Sequence, residues 1–133
     1  MLLDALSQEE KKAFWNIANV VASVDGRAVE EESILSQYSE EMGAGFEIVD
    51  PSGIDIKNEL NTIRSSSLKN RKIIYFELFG VAYADTELHE KELGILDEAC
   101  AVLEISGEIR TVLENCIKNI FDSYKELGNV LEE

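Results

Sequence analysis

Apolar residues recur at helical spacing along most of the chain and nowhere alternate with the period of two that a half-buried strand requires. Ser7 and Glu10 have the spacing of a capping box. They open a helix whose apolar side is Phe14, Ile17, Ala18, Val21 and Val24. A second helix over about 30–42 carries Ile34, Leu35, Tyr38 and Met42, with Gly43 as its C′ residue. Residues 43–55 hold the single proline and read as a loop, with a short extended piece at 46–49. A short helix follows at 56–65, then a helix from Ser67 to about Ala84 that is apolar nearly all round in its second half. That pattern marks a central buried helix. The next helix, over 89–103, turns Leu93, Leu96, Ala99, Cys100 and Leu103 inward. The last runs from Ser106 to about Leu127, with Ile109, Val112, Leu113, Cys116, Ile117, Ile120 and Phe121 on its core face and Gly128 ending it.

The pattern therefore predicts an all-α, single-domain bundle of six to seven helices. It consists of a hairpin at 8–42, a loop and short helix at 43–66, a second hairpin at 67–103 and a C-terminal helix at 106–127.

The two hairpins turn through related sequence. Residues 22–35 read ASVDGRAVEEESIL, and residues 82–96 read AYADTELHEKELGIL. Overlaying Asp25 on Asp85 also pairs Ala22 with Ala82, Glu30 with Glu90 and Glu32 with Glu92. Each turn has the form D-x6-E, an Asp closing one helix and a Glu opening the next. A tight corner brings two such carboxylates toward one pocket, where a hard cation relieves their repulsion; Ca²⁺ and Mg²⁺ favour these oxygen ligands. The predicted ligands are Asp25, Glu32, Asp85 and Glu92, with Glu30 and Glu90 as supporting acids. As a structural alternative, each Asp is an ordinary turn residue and each Glu complements a helix N-terminus. An EF-hand is excluded, because the early acids of that loop fall on Val21 and Ser23, and on Val81 and Tyr83.

Charge sharpens the picture. The 133 residues include 27 acids against 12 basic residues, a formal net charge of −15, and this surface repels nucleic-acid backbones and anionic membranes. Residues 28–56 contain no Lys or Arg, so negative potential gathers beside the first turn. Cys100 and Cys116 match no metal motif and sit on apolar stripes, which predicts buried free thiols in a reducing compartment. The opening MLLDALSQEE lacks the pattern of a signal peptide, and no stretch reaches transmembrane length. A cytoplasmic protein is the expectation.

Paired helical hairpins with these two turns resemble the TerB family of tellurite-resistance proteins. Asp25, Gly26 and Glu32 match the family's Ala-Asp-Gly…Glu turn; Asp85 and Glu92 match in the second copy, where Thr86 replaces the glycine. Val24 stands where a small Ala is usual. The resemblance covers residues 8–125 and implies a helical, non-enzymatic domain with acidic divalent-cation sites, acting in stress response or in membrane-associated complexes. The alternative is a protein-interaction module that uses its acidic surface toward a basic partner, without a specific metal. An enzyme finds little support: there is no Ser/His/Asp or Cys/His spacing, no phosphate-binding glycine loop and no HExxH. His89 could add a nitrogen ligand, but its counterpart Val29 indicates that the turn does not require one. Trp15 is expected in the core, and Arg71 and Lys72 are expected to pair with acids.

Overall fold

The computed structural model describes residues 2–24, 29–43, 45–47 and 50–132, with the backbone alone for Val29 and Glu30. These residues form six α-helices and two single 3-10 turns, with no strand among them. The helices are α1 (Gln8–Val21), α2 (Val29–Met42), α3 (Ile56–Ile63), α4 (Leu68–Ala82), α5 (Glu90–Val102) and α6 (Gly107–Glu132). The 3-10 turns are Leu3–Ala5 and Pro51–Gly53.

Local chemistry starts these helices. The Ser7 N–H donates to Glu10 Oε1 at 2.7 Å, and the Glu10 N–H donates back to Ser7 Oγ at 3.2 Å. Ser67 and Ser106 accept from the N–H groups of Asn70 and Ile109. Asp55 caps α3 through the N–H groups of Lys57 and Asn58. Gly43 ends α2 with φ +68°, the left-handed conformation a C′ glycine adopts without strain.

The layout follows from burial. Helix α4 lies at the centre and packs on α1, α2, α5 and α6, while α1 also packs on α2 and α3. Nine of its fifteen residues are buried, among them Ile74, Tyr75, Leu78, Phe79 and Val81. A helix apolar nearly all round in its second half must be covered there, and residues 77–82 of α4 are all buried. Trp15 is buried on α1; its indole N–H donates to the Glu47 carbonyl at 2.8 Å, and its ring stacks on Phe46.

The two hairpins share a device that links their ends. Lys11, in the first turn of α1, donates to the Met42 carbonyl at the end of α2. Arg71, in the first turn of α4, donates to the Leu103 carbonyl just past α5 at 2.6 Å. Each cation complements the negative end of the returning helix. Arg71 thus pairs with carbonyls, Ser66 O being the second, and not with the expected acids. Lys72 likewise has no acid partner among the described residues.

Other expectations need correction. Helix α6 does not stop at Gly128 but continues to Glu132. A mid-helix glycine costs roughly 1 kcal/mol against alanine, too little to break a helix that has good formers on both sides. The chain reverses after α5 through Glu104 at φ +55°, with the Ile105 N–H donating to the Cys100 carbonyl, a Schellman closure made without glycine. Leu93 and Val112 are exposed and Ile95 is buried in Leu93's stead. Cys100 is buried as expected, but Cys116 is exposed, because α6 rests on the bundle along a narrower strip than its apolar pattern suggests. Phe46 and Glu47 are irregular, not extended, and residues 48–49 of the expected extended piece lie outside the described residues.

Candidate functional site

The two first helices start 60 positions apart, but around the turns the hairpins are related by 61, not by the 60 that overlays their acids. Helices α1 and α4 end at Val21 and Ala82, and α2 and α5 begin at Val29 and Glu90. The buried residues Leu35, Tyr38 and Met42 then correspond to Leu96, Ala99 and Leu103. One residue along a helix is about 100° of rotation. The acid in register with Glu92 is therefore Glu31, the third residue of its helix as Glu92 is of α5.

Glu31 and Glu92 are buried, at 3% and 1% exposure, and their carboxyl groups are hydrogen-bonded to each other. The first turns of α2 and α5 thus meet in space. Glu92 is anchored by its own helix start: His89, extended at φ −90° and ψ 152°, is the N-cap, and its N–H donates to Glu92 Oε1 at 3.2 Å. Burial pushes Glu92 up to about 8, aided by its hydrogen bond to Glu31 and by the charges of Glu31 and Asp85; the His89 N–H pulls the other way. At neutral pH the pair shares a proton: Glu92 donates it and Glu31 accepts. Buried carboxylates this close cannot both ionise without a positive partner.

Asp85 acts on Glu92 by its charge, while its own ligand atoms gather with those of Glu87 and His89. It is half-buried in the turn after α4; its Oδ1 accepts the Glu87 N–H at 3.1 Å and its Oδ2 lies 3.5 Å from His89 Nε2. Asp85, Glu87 and His89 offer ligand atoms all within 4.8 Å of one another on the outer side of the turn. The turn closes through Thr86 at φ +65°, where a β-branched residue is strained. Replacing Thr86 by Gly is expected to raise stability by roughly 1 kcal/mol, read from urea denaturation midpoints.

The sequence-predicted residues divide accordingly. Asp85 and Glu92 come to the site. Glu32 and Glu90 are exposed on their helices and point away from the pair. Asp25 and the side chain of Glu30 lie outside the described residues. Glu31 was missed, although the apolar register of Leu35, Tyr38 and Met42 against Leu96, Ala99 and Leu103 would have found it.

A second buried acid was also missed. Glu77, on α4, is pushed up to about 7 by burial. It lines a cleft of about 360 Å³ between α2, α4 and α6, together with Tyr38 and Glu41. Burial, and then the Glu77 charge, hold the Tyr38 phenol well above its ordinary range. The Tyr38 hydroxyl donates to the Glu77 carbonyl at 3.3 Å.

Where the turns meet, Glu31 and Glu92 offer carboxylate oxygens, the ligand type of a hard divalent cation, and the neighbouring cluster of Asp85, Glu87 and His89 adds two carboxylates and an imidazole. No helix among the described residues is long and apolar enough to cross a membrane. Comparison of the chain with protein-family models, curated proteins and solved structures gives no match.

Proposed function

We infer that this is a non-enzymatic, TerB-like domain that binds a divalent cation, Ca²⁺ or Mg²⁺ in preference, where its two acidic turns meet. Glu31 and Glu92 supply the buried ligand oxygens, Asp85 stands beside them with Glu87 and His89, and Asp25 and Glu30 belong to the first turn in sequence. The carrying observation is the buried, hydrogen-bonded pair of Glu31 and Glu92. Two carboxylates buried together weaken a fold unless a proton, a metal or a basic side chain offsets their charge, and a buried pair of like groups is a poor choice for stability alone. The acidic stretch at 28–56 adds negative potential that raises the local cation concentration. The role that follows is cation-dependent ordering of the hairpin turns within a stress-response or membrane-associated assembly of the TerB type.

The test is a thermal titration of chelator-treated protein with Ca²⁺, Mg²⁺, Mn²⁺ and Zn²⁺ at fixed ionic strength. A ligand that binds only the folded state adds about 2.7 kcal/mol at one hundred times its dissociation constant, a rise of several degrees in Tm. That rise is expected to saturate, to vanish in Asp85→Asn/Glu92→Gln and to persist in Glu32→Gln. A flat response to all four ions in the parent protein would remove the assignment.

A further inference from the structure

The longest acid-free stretch of this chain is residues 60–76, and it carries Arg64, Lys69, Arg71 and Lys72. In a chain with 27 acids and 12 basic residues, that is a local reversal of sign. Arg71 is committed to the carbonyls of Ser66 and Leu103. Lys69 and Lys72 have no ion-pair partner among the described residues.

These two lysines line an open groove of about 420 Å³ at the start of α4, and its other walls are apolar: Leu2, Leu68, Ile73, Phe76 and Leu113. No acid is among its described lining residues. On α4 the positions of Leu68, Lys69, Lys72, Ile73 and Phe76 fall within about 140° of one helix face. The lysines therefore share that face with the apolar residues. Leu2 and Leu68 are 39% and 47% exposed, large apolar side chains that the fold leaves to water.

An apolar floor whose only charges are ammonium groups is the complement of a molecule with an alkyl body and one anionic end. Position strengthens that preference, because Lys69 and Lys72 stand in the first two turns of α4, the positive end of its dipole. Size selects a small ligand. Leu68 to Phe76 is about 12 Å along the helix axis, the length of a medium alkyl chain. The cavity falls within the roughly 300–1,000 Å³ of small-molecule sites. A stable protein partner needs a far broader contact, about 800 Å² on each side. An anionic bilayer would meet the whole surface, whose net charge is −15, and be repelled by it.

We propose that the groove at the start of α4 binds a free medium-chain alkyl carboxylate, a fatty-acid anion. Its carboxylate pairs with Lys69 and Lys72, and its chain lies on Leu2, Leu68, Ile73, Phe76 and Leu113. The groove is at the opposite end of α4 from the acidic turns, so this binding does not depend on a cation there.

The experiment is an amide NMR titration of the full chain with decanoate below its micellar concentration, with chelator present throughout. Saturable one-to-one shifts are expected at residues 68–76 and 113. Shortening the ligand from decanoate to octanoate to hexanoate is expected to weaken binding about twofold or more per methylene, since an open groove covers part of the chain. Lys69→Gln/Lys72→Gln is expected to weaken decanoate binding about tenfold or more. Leu68→Gln, at an exposed position, should weaken it several-fold with both lysines intact. Four results would each overturn the proposal. One is the absence of saturable shifts in the parent chain up to millimolar decanoate. Another is decanoate binding that the lysine variant leaves unchanged. The third is acetate matching decanoate, which would mean that the lysines take any small anion. The last is decylammonium producing the same saturable shifts at residues 68–76. Cosedimentation with anionic phospholipid vesicles is expected to leave the chain in the supernatant; its recovery with the vesicles would make the groove a membrane contact and overturn the free-ligand assignment.

Discussion

Glu92→Gln is expected to be more stable than the parent protein above pH 8 in the presence of a chelator, and less stable than the parent in saturating Ca²⁺. The sign follows from where the proton sits. In the unfolded chain Glu92 ionises near the ordinary value of about 4.5, whereas in the folded protein burial, and then its hydrogen bond to Glu31, hold it up to about 8. Below pH 4.5 both states carry the proton and its titration adds no slope. Between pH 4.5 and 8 the folded state binds more protons than the unfolded one, so parental stability falls as pH rises. Above pH 8 the loss is complete. Glutamine does not titrate, and its amide N–H can donate to Glu31 as the protonated Glu92 does. The variant's advantage therefore grows through this window to on the order of 2–4 kcal/mol.

Glu77 adds a slope of the same sign. Its folded value of about 7, raised by burial, makes stability fall between pH 4.5 and 7 in both proteins. Only Glu92→Gln/Glu77→Gln is expected to be nearly flat from pH 5 to 9. Calcium reverses the order of parent and single variant, because binding replaces the shared proton and the variant lacks a ligand. Urea denaturation at pH 5, 7 and 9, with chelator and with calcium, measures all of this. An unchanged pH slope in the single variant would mean that Glu31 and Glu92 share no proton.

The second large effect is expected at Gly80, in the last turn of α4. A Cβ built there would lie 2.9 Å from the Tyr38 hydroxyl and 3.5 Å from Ile117 Cδ1. Alanine in a helix interior normally gains about 1 kcal/mol over glycine. Here the tyrosine is rigid, buried and bonded to the Glu77 carbonyl, so it cannot yield without losing that bond. Gly80→Ala is expected to destabilise by about 1–2 kcal/mol net, and Gly80→Val by about 3 kcal/mol or more. Tyr38→Phe removes the obstructing oxygen, so Gly80→Ala should cost far less in that background. Gly94→Ala is the control. It lies in α5 with nothing within 4 Å of its Cβ, and should gain up to about 1 kcal/mol. Chemical denaturation of the double-mutant cycle measures the coupling, and additive effects would show that the contact is not the reason for the glycine.

Gly80 illustrates what a single sequence conceals. Read locally, it is a weak point in a strongly apolar helix. Read in the fold, it is the gap through which α2 reaches α4. Glu31 is a similar case. The acids of the two turns align best with Asp25 over Asp85, which pairs Glu32 with Glu92. The helices follow a register one residue longer, and that rotation carries Glu32 outward and Glu31 inward. Charge similarity is a weak guide to phase because surface acids interchange freely. Buried apolar residues are a strong guide because each must fit its neighbours.

The sequence by itself determined what is local. Capping residues, apolar spacing and turn residues act within four or five positions, so six helices, their order, the central place of α4 and the start of nearly every element were legible. It also placed Asp85 and Glu92 at the second turn. Tertiary structure alone decided what depends on the relative rotation of helices. It buried Glu31 against Glu92, raised Glu77, sent Arg71 to a carbonyl and left part of the apolar pattern of α6 exposed. Hydrogen bonds and periodicity fix a helix from within, but which face meets which neighbour is set by packing between segments about sixty residues apart. A shift of one residue there exchanges a solvated acid for a buried one.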